Sequence, residues 1–95
     1  MKNSANVQHL SLHQYNSCPF CLITQMNIAK TNLDIERRNI QQHAHHRQEL
    51  LAGGGRQQVP CLRIDYDNGS VDWLYESSDI IRWVNAYSKT QNKAA

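Results

Sequence analysis

Two cysteines separated by two residues, Cys18-Pro19-Phe20-Cys21, carry the most chemistry in this chain. Such a pair can close a small disulfide ring or donate two thiolates to a metal, and the surroundings decide which. Upstream, Val7 to His13 alternates loosely, with Val7, Leu10 and Leu12 among polar residues, as a short strand does. Downstream, Leu22, Ile23, Met26 and Ala29 recur at three- and four-residue steps, which predicts a helix with that face buried. Cys18 therefore stands where a strand has ended and a helix begins. The free N–H groups and the positive end of the helix dipole favour a thiolate there. A thiol titrating near ~8.5 in free cysteine falls into the range ~3.5–7.5 at such positions, and only the thiolate is a nucleophile. Pro19 suits the first helical turn, where no backbone donor is needed.

The other reactive side chains read more plainly. A zinc ribbon needs a second ligand pair at regular spacing. Cys61 with one of His43, His45 and His46 would complete four ligands only by accident of folding, so no metal is expected. His45 and His46 are neighbours that cannot both face one way on a helix, and a helix rich in Gln and His is a solvated surface. His9 and His13, on or near the first strand, read as structural. Cys61 reads as core packing, with a mixed-disulfide role as the alternative. Trp73 and Trp83 read as core or rim packing.

The elements that must position the pair follow in order. Leu33 to Ile40 predicts a second strand, and Gln41 to Ala52 a helix with a thin apolar stripe. Gly53-Gly54-Gly55 ends that helix, and three glycines predict a flexible turn. Val59 to Ile64 reads as a strand opening at Pro60. Asp67-Asn68-Gly69 is a hairpin turn, with Val71 to Leu74 as the returning strand. Ser77-Ser78-Asp79 starts a last helix, with a hydroxyl cap, an acid at the positive dipole end, and Ile80, Ile81, Val84 and Tyr87 as its buried face. Ser88 to Ala95 reads as a polar, frayed tail. The expected order is β-α-β-α-β-β-α, a four-stranded mixed α/β sheet with helices on both faces, its first two strands parallel and its last two a hairpin. The 95 residues make one domain with a core from about Val7 to Tyr87.

Composition narrows the function. Charged residues are 19% and the net charge is +2, with no basic patch interleaved with aromatics, so a nucleic-acid platform is not expected. No apolar run approaches the ~20 residues of a membrane span. The N-terminal residues lack the apolar stretch of a secretory signal, so the chain reads as cytoplasmic. Three cysteines are odd in number and too few for a disulfide scaffold, which in a reducing compartment points to redox or metal chemistry.

Three motifs in register resemble the thioredoxin fold, and specifically the glutaredoxins. Cys18-Pro19-Phe20-Cys21 after strand one is close to the family's Cys-Pro-Tyr-Cys. Val59-Pro60 opening strand three is like its Thr-Val-Pro with a cis proline. Glu76-Ser77 at the last helix is more like the N-terminal domain of glutathione S-transferases. The resemblance implies Cys18 as the exposed nucleophile and Cys21, one turn on and more buried, as the resolving thiol. It implies glutathione as co-substrate. Val59 beside Pro60 would pair with its cysteine backbone, Glu76 and Ser77 would hold its γ-glutamyl end, Arg56 its glycine carboxylate, and Tyr15 and Phe20 would complete the rim.

Departures from the family qualify the expected rate. No lysine precedes the pair in Gln14-Tyr15-Asn16-Ser17, and Leu22-Ile23-Thr24 stands where basic residues commonly follow it. Phe20 lacks the usual hydroxyl, and Trp73-Leu74-Tyr75 replaces the glycines often found before the last helix. The implied function is reduction of protein disulfides or glutathione mixed disulfides by a monomer, with such proteins as partners. The alternatives are a dimer holding an iron–sulfur cluster between two Cys18 thiolates and two glutathiones, which Pro19 disfavours, and a glutathione-binding domain without redox turnover.

Overall fold

The computed structural model describes residues 6–15 and 18–94, with side chains through residue 90. Strand β1, Val7–Gln14, is followed by helix α1, Pro19–Ala29, and strand β2, Glu36–Asn39. Helix α2, Ala44–Gly54, leads to strands β3, Cys61–Tyr66, and β4, Val71–Leu74, and the last element is helix α3, Ser77–Ala94. The sheet runs β2-β1-β3-β4, with β2 parallel to β1 and the other pairs antiparallel. This is the expected α/β thioredoxin-like architecture.

Alternation along the central strands sorts the two faces. Leu10, Leu12, Leu62 and Ile64 point to one face and pack with Ile28 of α1 and Ile80 and Val84 of α3. Cys61 lies on the other face with Ile40, Leu50 of α2 and Tyr75. The second face also holds charge. Glu49 of α2 accepts hydrogen bonds from His13 Nε2 of β1 at 2.8 Å, Arg38 Nη1 of β2 at 2.8 Å and Arg63 Nη1 of β3 at 3.1 Å. One carboxylate thus ties its helix to three strands. His13 is fully buried, and exposed His9 pairs with Glu36, so both histidines have the structural roles expected of them.

Several local expectations are corrected. In α1 the buried side chains are Cys21, Thr24 and Ile28, whereas Leu22, Ile23 and Met26 face outward and Ala29 is also exposed. The helix has the expected period with a different phase: the small side chains Cys21 and Thr24 lie with Ile28 on its inward side. Strand β2 starts at Glu36 rather than Leu33; Leu33 and Ile35 pack on the first core from the preceding loop. Helix α2 starts at Ala44 rather than Gln41. The Asn39 side-chain oxygen takes the backbone N–H groups of Gln41 and Gln42 and turns the chain first.

The three glycines are not a flexible turn. Gly53 and Gly54 are helical, and a methyl carbon on them would collide with the Trp73 ring and the Tyr75 hydroxyl. Gly55 alone is the left-handed cap, at φ 88°, with its N–H bonded to the Leu51 carbonyl. The expected frayed tail is also helix: α3 continues to Ala94 and buries Ser88. Ala95 lies outside the described residues. Asp67-Asn68-Gly69 forms the expected hairpin turn, with Gly69 at φ 90° and the Tyr66 N–H bonded to the Ser70 carbonyl.

Candidate functional site

The antiparallel pairing of β1 with β3 places His13 opposite Cys61. The end of β1, which leads to Cys18, and the start of β3, which follows Pro60, therefore share one end of the sheet. Cys18 is the N-cap of α1, with φ −84° and ψ 119°. Its carbonyl accepts the Leu22 N–H at 3.0 Å and its sulfur accepts the Cys21 N–H at 3.4 Å. Pro19 occupies the first turn, as expected. The sulfur thus replaces the side-chain oxygen that usually satisfies a free amide at this position.

Both thiols of the pair are free and buried; Cys18 is 5% exposed and Cys21 0%. The expectation of an exposed Cys18 is corrected: it is the more accessible member but lies just under the surface. Asn16 and Ser17, where the absent lysine was noted, lie outside the described residues. Burial, followed by its interaction with Cys18, pushes the Cys21 thiol up to about 12. Burial likewise pushes Cys61 up to about 12, and it packs in the second core with 0% exposure.

A recess of about 140 Å³ is lined by Phe20, Gln58, Val59, Pro60, Tyr75, Glu76 and Ser77; Phe20 stands between the two cysteines in the chain, and neither cysteine is in the lining. The Val59–Pro60 peptide is cis. A recess of this size is smaller than the roughly 300–1,000 Å³ that encloses a whole small ligand, so it suits one end of an extended molecule. It brings together Phe20, Val59, Pro60, Glu76 and Ser77 from three separate stretches of chain.

Tyr15 and Arg56 are not in its lining. Tyr15 packs against the second core, and its carbonyl accepts the Cys18 N–H at 3.4 Å. Arg56 braces the wall from behind: its guanidinium lies 4.4 Å from the Tyr75 ring centroid. Its carbonyl accepts the Tyr75 hydroxyl at 2.9 Å, and its N–H donates to that hydroxyl at 3.3 Å. Gln58 and Tyr75 are lining residues that the sequence reading did not assign to a ligand. In the sequence Tyr75 stands out only by its bulk, and Gln58 carries no signal beyond its place next to Val59.

Ser77 is the first residue of α3 rather than its cap. The Glu76 carbonyl accepts the first helical bond, from Ile80 N–H at 2.9 Å. Free backbone donors of this first turn, a hydroxyl and an acid therefore meet at one wall of the recess. Together these groups can seat a zwitterionic end of a ligand while a sulfur atom stands at the neighbouring helix terminus.

A family profile described as "Glutathione S-transferase, N-terminal domain" matches residues 17–86. Among solved structures, maleylacetoacetate isomerase from Anaeromyxobacter dehalogenans, with glutathione bound in its active site, is similar at 25% identity with a TM-score of 0.65. The match covers 85% of this chain and only 38% of that one. A thioredoxin-like protein matches at 19% identity and a TM-score of 0.62, over 77% of this chain and 95% of that one. Glutaredoxin from Brucella melitensis matches at 12% identity and a TM-score of 0.55, over 95% and 91%. No curated protein matches the sequence.

Proposed function

Since this chain belongs to the family of glutathione S-transferase N-terminal domains, we propose that it is a glutathione-dependent thiol–disulfide oxidoreductase acting on glutathione mixed disulfides and protein disulfides. The observation that carries this reading is the Cys18 sulfur at the N-cap of α1, accepting the Cys21 N–H, on the helix whose Phe20 lines the recess at Pro60. The bound glutathione of the isomerase supports the ligand.

Cys18, as thiolate, attacks the glutathione sulfur of a mixed disulfide. A Cys18–glutathione bond forms, the original S–S bond breaks, and the partner thiolate leaves and takes a proton from water. A second glutathione thiolate then attacks this adduct, giving oxidised glutathione and free Cys18. External glutathione can replace Cys21 as the resolving thiol for mixed disulfides. Cys21 serves where Cys18 is joined to a protein by a disulfide that glutathione reaches slowly. The γ-glutamyl end of glutathione sits in the recess, its carboxylate on the first turn of α3 and Ser77, its ammonium on Glu76. Val59 offers its backbone to the cysteine of glutathione.

A coupled assay with the mixed disulfide of glutathione and 2-mercaptoethanol tests this. Cys18→Ser should abolish turnover, and Cys21→Ser should retain most of it. Equal loss in both variants would refute the assignment. One observation favours a second reading, a glutathione-binding domain without turnover: Cys18 is only 5% exposed. On that reading the wild type binds glutathione in a titration yet turns over no mixed disulfide.

A further inference from the structure

The outward face of α1 is the feature that the fold leaves unexplained. Phe20, Leu22, Ile23 and Met26 are 60%, 57%, 49% and 58% exposed. At 100° per residue Leu22, Ile23 and Met26 face away from Cys21, Thr24 and Ile28, and Phe20, one turn before Ile23, extends the patch to the edge of the buried side. No charged side chain lies between Pro19 and Ala29. The stripe starts at Phe20, which lines the recess, and runs along the helix whose N-cap is Cys18.

We propose that this face is the docking surface for the protein partner of thiol exchange, and that it takes apolar segments flanking the partner's cysteine. The inference rests on the reading of Cys18 as an exchanging thiol and adds the partner's chemistry to it. Area decides between occupants. At these exposures the four side chains present roughly 450 Å² of apolar surface, within the range where a patch on a monomer is often functional. That is well short of the ~800 Å² per partner of a stable interface. A lasting dimer would need about twice this surface, whereas a substrate that must leave after exchange needs a small, releasable one. With no charge on the face, recognition rests on apolar burial and does not select a charge pattern. Continuity with the recess sets the geometry: a segment lying on Leu22 and Met26 has its neighbouring cysteine within reach of the start of the same helix.

The test compares three substrates on the wild type and on Leu22→Gln/Met26→Gln, a pair chosen because neither side chain is in the core or the recess and neither change adds a charge beside the cysteine pair. One substrate is the mixed disulfide of glutathione and 2-mercaptoethanol. The others are peptides with one glutathionylated cysteine, flanked by Leu and Phe in one and by Ser and Gly in the other. The wild type should favour the apolar peptide. The variant should lose about tenfold or more in kcat/KM for that peptide alone, the equivalent of one buried apolar side chain. The small disulfide and the Ser-Gly peptide should be unaffected. Equal rates for the two peptides in the wild type, or an unchanged preference in the variant, would overturn the docking surface while leaving the oxidoreductase reading intact. Absence of turnover with the small disulfide in the wild type would overturn that reading and this inference with it. Sedimentation of the wild type as a stable dimer that the variant converts to monomers would assign the face to a second copy instead.

Discussion

At the scale of single residues, the three thiols are sorted by where they sit. Cys18 caps a helix just under the surface at 5% exposure, while Cys21 and Cys61 have 0% exposure and thiols pushed up to about 12. Alkylation with iodoacetamide at mildly alkaline pH, followed by peptide mapping, should therefore mark Cys18 first. Early labelling of Cys61 would mean that the second core opens readily, and early labelling of Cys21 that the start of α1 does. Ser77 and Glu76 can be separated in the same spirit. Because Ser77 is the first helical residue and Glu76 holds the cap position, Ser77→Ala should weaken glutathione-dependent turnover without the ~1 kcal/mol loss that removal of an N-cap hydroxyl brings. Glu76→Gln should raise the KM for glutathione at unchanged melting temperature. Activity with dithiothreitol, which makes no γ-glutamyl contact, should survive both changes. An unaltered KM in Glu76→Gln would reduce the Glu-Ser pair to a helix start.

At the scale of elements, α2 shows how a partner can outweigh propensity. In an exposed helix, Gly→Ala gains about 0.5–1 kcal/mol. Gly53 and Gly54 instead face Trp73 and Tyr75, whose rings have no space for another carbon. Gly54→Ala should therefore destabilise by about 1–3 kcal/mol, as overpacking does. It should also disturb the recess, since the Tyr75 hydroxyl is tied to Arg56 and its ring forms part of the wall. A urea titration that showed stabilisation would mean that Tyr75 yields at no cost. Helix α1 makes the complementary point. Its apolar residues keep helical spacing, yet the fold buries Cys21 and Thr24 and leaves the larger side chains to solvent.

At the scale of the whole molecule, the Glu49 network sets an acid limit. Burial holds the His13 imidazole below its usual 6.5, against the pull of its bond to Glu49. Burial alone would raise the Glu49 carboxyl, but hydrogen bonds from His13 and Arg38 outweigh it and hold the group below 4.5. Both groups bind protons more readily in the unfolded chain, so stability rises with pH across their titrations. The contribution of His13 is complete above pH 6.5 and is lost as pH falls through its lowered value; that of Glu49 follows below 4.5. The melting temperature should fall on acidification from about pH 7 to 5. The slope should be shallower in His13→Gln, with the remainder from His46, whose imidazole is also held low by burial and by His45 beside it. A pH-independent melting temperature in that window would show that His13 protonates freely in the folded protein. Among the described residues no helix is long and apolar enough to cross a membrane.

Much of this protein was legible in one dimension, because short-range rules govern those parts. The element order followed from strand and helix periods. The α1 start followed from Cys18-Pro19, and the hairpin from Asn68-Gly69, since only positive φ closes that turn. The gathering of Phe20, Val59, Pro60, Glu76 and Ser77 at one recess was readable only through motif resemblance, because no local rule joins residues so far apart in sequence. Contacts between elements decided the rest. Which stripe of α1 is buried depends on what packs against it, and here the small side chains face inward. Whether a run of glycines bends or stays helical depends on the rings that press on it. Arg56 turns its charge onto Tyr75, and Gln58 enters the lining, through packing that leaves no periodic trace in the chain. Periodicity reports that a helix has two faces; only the tertiary structure decides which one meets water.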